Sequence, residues 1–375
     1  MPRVLVDATA VPADRGGVGR YVDNLLAALA RAGADLAVTC QRSDAERYSR
    51  LPGQVEVVPG PPAIGHRPAR LAWEQTGLPL VAQQVGADVV HSPYYTMPLR
   101  AGRPVVVTLH DVTWFTDPEV HSAVRATFFR SATRTAVRRA RRCIVPSAAT
   151  RDALVGALSA TSGAVDVVPH GVDPAVFHVP DDGEKARVQS RLGLDGQPWI
   201  AFLGLLEPRR NVPALVRAWV QACADRPDAP ALVLAGGVGW DDEVDVAVSA
   251  VPSHLRVLRP GFLRVTDLPG FLGGAVLVAY PSLGEGFGLP VLEAMACGAA
   301  VLTTPRTALP EVGGDAVAYA EPDVDSLAAA LSELLDHPDR RAALGAAASA
   351  RAAGFTWEAT AAAHLEVYER AVSGA

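Results

Sequence analysis

Short apolar runs alternate with longer amphipathic stretches along almost the whole chain. Val4–Asp7, Leu36–Cys40 and residues 55–58, 87–91, 105–110, 143–145 and 165–168 have the length and β-branched content of buried strands. Between the first two, Val18, Val22, Leu25, Leu26 and Leu29 recur at helical spacing, which predicts a helix over residues 18–31. The pattern breaks at Pro180-Asp-Asp-Gly183 and restarts with Trp199–Leu203, a helix to about Ala224, and apolar runs at 231–237, 255–258 and 275–280. An Ala-rich helical tail runs from about Asp325 and ends in residues 357–372. Strands alternating with helices predict an α/β fold built on doubly wound parallel sheets. A chain of 375 residues exceeds what one core usually serves, so two domains are expected: 1–180, and 181–355 followed by a terminal helix over 356–375.

Hydrophobic residues make up 49% of the chain, enough for sizeable cores, while the net charge of −6 is unevenly spread. Residues 1–180 carry 19 basic against 15 acidic side chains, and the remainder carries 15 against 25. Lys185 is the only lysine, so basic recognition falls to arginine, whose planar fork suits phosphate and carboxylate. The acidic balance and lack of a reader motif speak against nucleic-acid binding. Cys40, Cys143, Cys223 and Cys297 are scattered without a C-x-x-C pair and read as small core residues, which fits a reducing compartment. No cleavable leader and no uncharged run of about 18 residues is visible, so a cytoplasmic location is expected. One segment stands apart: Arg130, Arg134, Arg138 and Arg142 recur every four residues within 125–142. Such a stripe reads either as a solvated face or as peripheral contact with anionic lipid at the inner membrane face.

The strongest chemical signal lies at Tyr280-Pro-Ser-Leu-Gly-Glu-Gly-Phe-Gly-Leu-Pro-Val-Leu-Glu-Ala-Met-Ala-Cys-Gly298. An apolar strand leads into a loop with Gly284, Gly286 and Gly288, then Pro290 opens a helix closed by Gly298. A strand–glycine loop–helix unit aims free N–H groups and a positive helix end at one point, which suits a phosphate. Glu285 and Glu293 are eight residues apart; on one helix they would diverge by roughly 80°. With Glu285 in the loop and Glu293 in the first turn, both can flank a ligand at the helix end and grip a polyol. A second strand–loop–helix unit, Gly204-Leu-Leu-Glu-Pro-Arg-Arg-Asn211, brings two guanidiniums to a helix entrance, suited to a diphosphate. Gly16-Gly17-Val18-Gly19 follows the first strand but is not the G-x-G-x-x-G of a dinucleotide site. His110-Asp111 stands at a strand's carboxyl end, where doubly wound sheets bind ligands; His91 also ends a strand. No His/Cys/Asp cluster has metal-ligand spacing, and Asp323-Val-Asp325 reads as a helix cap.

The 280–298 segment resembles the E-x7-E signature of retaining glycosyltransferases of the large GT-B family four, in the form PS-x-x-EGFGLP-x-LEAMA-x-G. The chain is similar to that family at Gly16-Gly-Val-Gly-Arg-Tyr21, His110-Asp111, Gly204-to-Asn211 and Pro260-Gly-Phe-Leu263 as well. His170 stands where the family's N-G-V-D-x-x-x-F has Asn, Arg210 where it has Lys, and Ala300 where it has Pro. The resemblance implies a GT-B architecture: two Rossmann-like domains facing across a cleft, acceptor side first and donor side second, with the terminal helix crossing back. It implies a metal-independent, retaining hexosyltransferase with no cofactor, whose donor is a nucleotide sugar. The E-P-R-R-N variant resembles polysaccharide mannosyltransferases and favours GDP-mannose, with a UDP-sugar as the other option.

By the same resemblance, Glu285 would bind sugar hydroxyls and Glu293 the ribose diol. The backbone of Phe287, Gly288 and Leu289 would meet sugar and phosphate, and that of Phe262 and Leu263 the base. Arg209 and Arg210 would neutralise the departing diphosphate. Gly16 and Gly17, with Arg20, would face donor phosphates and acceptor, and domain closure would bring His110 onto the sugar. The acceptor is left as a glycan, a lipid-linked or a small-molecule species. Two other classes stay open: a nucleotide-sugar-binding module without turnover, and a GT-B-fold epimerase or pseudo-glycosyltransferase.

Overall fold

Seven of the apolar runs pair in register to make one sheet: β1 (Val4–Asp7), β2 (Leu36–Cys40), β3 (Val55–Pro59), β4 (Val89–Ser92), β5 (Val105–Thr108), β6 (Arg142–Val145) and β7 (Val165–Val167). Their order is β3-β2-β1-β4-β5-β6-β7, all parallel. Strands β1, β2, β4 and β5 are buried along their length, which is why they read as continuous apolar runs rather than alternating ones. The computed structural model describes every residue except 13–14, 159–163, 195 and 375, so Asp14 of the glycine turn lies outside the described residues. Residues 1–171 and 356–375 form one compact unit and residues 172–355 another.

The second unit repeats the plan with β8 (Trp199–Leu203), β9 (Ala231–Ala235), β10 (Val257–Gly261), β11 (Leu277–Tyr280), β12 (Val301–Thr303) and β13 (Ala318–Tyr319). The order is β10-β9-β8-β11-β12-β13, again all parallel. In each sheet the chain starts in the middle, builds one side, then returns to build the other. The order of building therefore reverses between β1 and β4 and between β8 and β11, and the carboxyl ends of strands at such switch points are where these sheets bind ligands. Trp199 and Trp219 fill the second core and satisfy their indole N–H groups on the carbonyls of Phe271 and Pro230, at 3.1 and 3.0 Å.

Two sequence expectations are corrected. The strand expected at 255–258 is shifted to Val257–Gly261, with a register break between Leu258 and Gly261 against β9. The basic helix expected over 125–142 is Ala123–Arg139. Ala140 turns extended (φ −66°, ψ 147°) and Arg142 opens β6, its guanidinium on both oxygens of Asp166 at 2.7 and 2.9 Å. The stripe on the helix is thus Arg130, Arg134 and Arg138, without Arg142. Asp323 caps the helix Val324–Asp336 by accepting from Ser326 N at 2.8 Å.

The terminal helix Trp357–Ser373 belongs to the first unit. It is capped by Thr356, whose hydroxyl accepts from Ala359 N at 3.1 Å. It buries Trp357, Thr360, Ala361, His364, Val367, Tyr368 and Ala371, one face of a helix, and packs beside the helix Gly17–Arg31. Where the chain leaves this unit and returns to it, the two backbones touch. A Cβ on Gly171 would sit 2.3 Å from Trp357 N and 2.5 Å from the Thr356 carbonyl carbon, so only glycine fits. All four cysteines are free and buried. No helix among the described residues is long and apolar enough to cross a membrane.

Candidate active site

Strand order decides which residues meet in the second unit. Because β8 and β11 are neighbours, the loop after β8 and the glycine loop after β11 converge, although some 75 residues separate them. Leu283 N donates to the Arg209 carbonyl at 2.9 Å and stitches the loops together. Around this stitch Glu207, Arg209, Arg210 and Glu285 form one ion-pair cluster. Arg209 donates to Glu285 Oε2, to Glu207 Oε1 and to the Gly284 carbonyl, at 2.8, 2.8 and 2.9 Å. Arg210 is paired with Glu285 Oε1 and lies 3.2 Å from Glu207 Oε1, its guanidinium 5.1 Å above the Tyr280 ring. Glu285 Oε1 also accepts from the hydroxyls of Tyr280 and Ser282 at 3.0 and 2.8 Å. Both carboxylates are 8% exposed, so in this low-dielectric setting each depends on its arginines. Two cations are thus held by two anions at a loop mouth.

The helix after this loop, Leu289–Ala296, starts at Gly288, whose φ of +105° favours glycine and whose missing Cβ leaves room for Leu309. Leu289 and Pro290 are the half-buried residues of its mouth, while Phe287 is buried against Phe355. Glu293 is the fifth helical residue, one position further in than expected because the helix starts at Leu289 rather than Pro290, and 3% exposed. Phe262 and Leu263 follow β10; Phe262 is 72% exposed and flanks Gly237 together with Leu205. Phe262 and Leu205 thus form an apolar ledge over Gly237, while Leu263 packs against the core.

In the first unit, Gly16 caps the helix Gly17–Arg31. A Cβ at Gly16 or Gly17 would meet no heavy atom within 4 Å among the described residues, so packing does not demand glycine there. Beside this turn lies an open pocket of about 600 Å³ lined by Val11, Arg15, Gln41, Ser43, Asp44, Glu46, Arg47 and Arg50, polar at all but the first. Arg15, at φ +52°, is held there by Asp44 and Asp23.

His110, two residues past β5, is half-buried among aromatic rings; that of Tyr21 is edge-on at 4.9 Å. Its Nε2 lies 2.7 Å from the Pro93 carbonyl, which only accepts, so Nε2 carries the proton and Nδ1 the lone pair. Burial pushes its pKa below the ordinary 6.5, opposed by the Pro93 bond and Asp111, so the ring is neutral at pH 7. His91 is fully buried and bonded to Thr108 and Tyr368, with no open face. Sequence reasoning missed Glu207, Tyr280, Tyr21 and His364. Glu207 sits inside the quoted E-P-R-R-N, but only the β8–β11 pairing reveals that it shares both arginines with Glu285. Among the described residues no group of three or more His, Cys, Asp or Glu is placed to hold a metal ion.

Comparison with known proteins places these two units. Residues 15–176 match the model described as Glycosyltransferase Family 4, and residues 184–351 the model described as Glycosyl transferases group 1. The D-inositol 3-phosphate glycosyltransferase of Kineococcus radiotolerans is 32% identical over 405 aligned positions, covering 96% of this chain and 91% of that protein. The chain belongs to the GT-B glycosyltransferases. The O-antigen chain mannosyltransferase B of Escherichia coli is 30% identical over 275 positions, covering 72% of this glycosyltransferase and 71% of that enzyme. The fold is shared with Anabaena Alr3699/HepE, solved in complex with UDP and glucose, at a TM-score of 0.78 and 21% identity. That match covers 98% of this chain and 100% of the other. The reaction is the transfer of a sugar from a nucleotide sugar.

Proposed function

We propose that this glycosyltransferase is a retaining, metal-independent hexosyltransferase using GDP-mannose, with a UDP-sugar as the other donor to test. The observation that carries the reading is the Arg209–Arg210–Glu207–Glu285 cluster at the carboxyl ends of β8 and β11. A donor diphosphate would displace Glu285 from the two guanidiniums, and the freed carboxylate would accept from hydroxyls of the sugar. As the bond from the anomeric carbon to the phosphate oxygen breaks, charge builds on the diphosphate. Arg209, Arg210 and the N–H groups at the start of Leu289–Ala296 stabilise that charge without a metal ion. The acceptor hydroxyl attacks from the face the diphosphate leaves and passes its proton to the leaving phosphate. We assign His110, neutral and with its lone pair on Nδ1, to a hydroxyl of the donor sugar.

Glu293 is assigned to the ribose diol and the backbone of Phe287, Gly288 and Leu289 to sugar and phosphate. Phe262 and Leu263 are assigned to the base, and Gly16 and Gly17 to phosphates and acceptor. The polar lining of the pocket beside Arg15 suits an acceptor rich in hydroxyls or charge, whether glycan, lipid-linked or free. The exposed Arg134, Arg138 and Arg139 are assigned to transient contact with an anionic membrane surface. The deciding experiment is turnover of labelled GDP-mannose and UDP-glucose with and without EDTA, with the anomeric configuration of the product read by NMR. Retained configuration and EDTA-resistant turnover are expected; loss of turnover in EDTA, or an inverted product, would overturn the proposal.

A further inference from the structure

Five of the polar side chains buried in the first unit form one chain of hydrogen bonds, and its direction is determined at one end. His364 Nδ1 lies 2.7 Å from the Thr360 carbonyl oxygen, so Nδ1 carries the proton. The ring is neutral because burial and the neighbouring His110 lower its pKa against that bond, so Nε2 holds a lone pair. Tyr21 Oη, 2.8 Å from that nitrogen, must donate to it. With its one proton so used, Tyr21 accepts from Thr108 Oγ1 at 2.9 Å, and Thr108 accepts from His91 Nε2 at 2.8 Å. His91 Nδ1 is then an acceptor, filled by Tyr368 Oη at 2.8 Å. Tyr21, His91, Thr108, His364 and Tyr368 are all fully buried, so no water competes for these bonds.

Tyr21 is where this chain touches the chemistry. Its hydroxyl is gripped by strand β5 on one side and the terminal helix on the other, while its ring stands edge-on against His110. It also lies in the helix that begins at Gly17, immediately after the glycine turn. We propose that Tyr21 and His364 are positioning residues for sugar transfer: through this directed chain the terminal helix sets the orientation of His110 and of the Gly16–Gly17 turn. The inference rests on the reading in which His110 meets the donor sugar.

The test compares Tyr21→Phe, His364→Leu, His364→Gln and His110→Ala in release of nucleoside diphosphate from GDP-mannose and UDP-glucose. Tyr21→Phe keeps the ring and loses the link; in His364→Gln, Oε1 replaces Nε2 as acceptor. Tyr21→Phe and His364→Leu are expected to lower kcat roughly 10–100-fold, the scale of a small misplacement, with KM within about twofold. His364→Gln is expected to restore most of the rate. Should His110→Ala abolish turnover while the Tyr21 and His364 variants leave it intact, the positioning role is refuted. Should His110→Ala itself have no effect, the reading beneath the proposal fails and the proposal with it. Nitrogen-15 NMR of the histidine-labelled protein tests the chain without any turnover: His364 must show the Nδ1–H tautomer and His91 and His110 the Nε2–H tautomer. Either His364 or His91 in the opposite form would overturn the argument.

Discussion

Acid should unlock the terminal helix, and His364 allows the size of the effect to be worked out. Burial lowers its pKa from 6.5 to about 4, and the charged or titratable group that acts on it most, His110, adds to the shift. Below pH 6.5 the unfolded chain binds a proton that the native ring refuses. Stability from this site is therefore complete above pH 6.5 and drains away as pH falls towards 4. Each pKa unit is worth about 1.36 kcal/mol, so the limiting loss is about 3 kcal/mol; between pH 7.5 and 5 it is about 2 kcal/mol. His91 and His170, pushed down mainly by burial, act in the same direction. Carboxylates elsewhere titrate over this range too, so the measurement is a difference against His364→Gln, which cannot take up the proton. Urea titrations at the two pH values, read by a short deuterium pulse on the Trp357–Ser373 helix, follow the affected element alone. The wild type should lose about 2 kcal/mol more than the variant. Equal losses in the two proteins would show that this ring is not held neutral by its surroundings, and the directed chain would lose its starting point.

Other outcomes follow from the same geometry. Glu285→Gln should abolish transfer yet bind GDP or UDP at least as tightly by calorimetry, because Arg209 and Arg210 lose a competing anion; weaker binding would contradict the exchange. Gly16→Ala and Gly17→Ala should leave thermal stability within about 1 kcal/mol, since no atom of the described residues opposes a Cβ, while turnover falls; unchanged turnover would remove the turn from the site. Gly171→Ala should destabilise the first unit by about 1–3 kcal/mol in chemical unfolding, as overpacking against the Trp357 backbone requires. Replacing Arg134, Arg138 and Arg139 by Gln should reduce sedimentation with phosphatidylglycerol vesicles and leave that with phosphatidylcholine unchanged; no difference would dismiss the membrane assignment.

Much of this protein was legible from local pattern. Strands buried on both faces show as unbroken apolar runs, and the helix mouth at Gly288 is announced by glycine, proline and small residues within a few positions. Both signals depend on residues close in sequence, so periodicity and spacing suffice to read them. The end of the basic helix was misread because Arg142 continues the four-residue rhythm; its ion pair with Asp166 on the neighbouring strand overrides that rhythm.

Which distant segments share a site is set by the packing of the strands, not by local pattern. Glu285 could be nominated from its motif, but that Glu207 and both arginines enclose its carboxylate depends on β8 lying beside β11. His364 and Tyr368 sit in an Ala-rich tail that carries no chemical signature, and their partners lie more than 250 residues away in sequence. Hydrophobic burial drives the helix onto the sheet without regard to sequence separation. Once there, the cost of leaving buried polar atoms without partners selects the pairs they form.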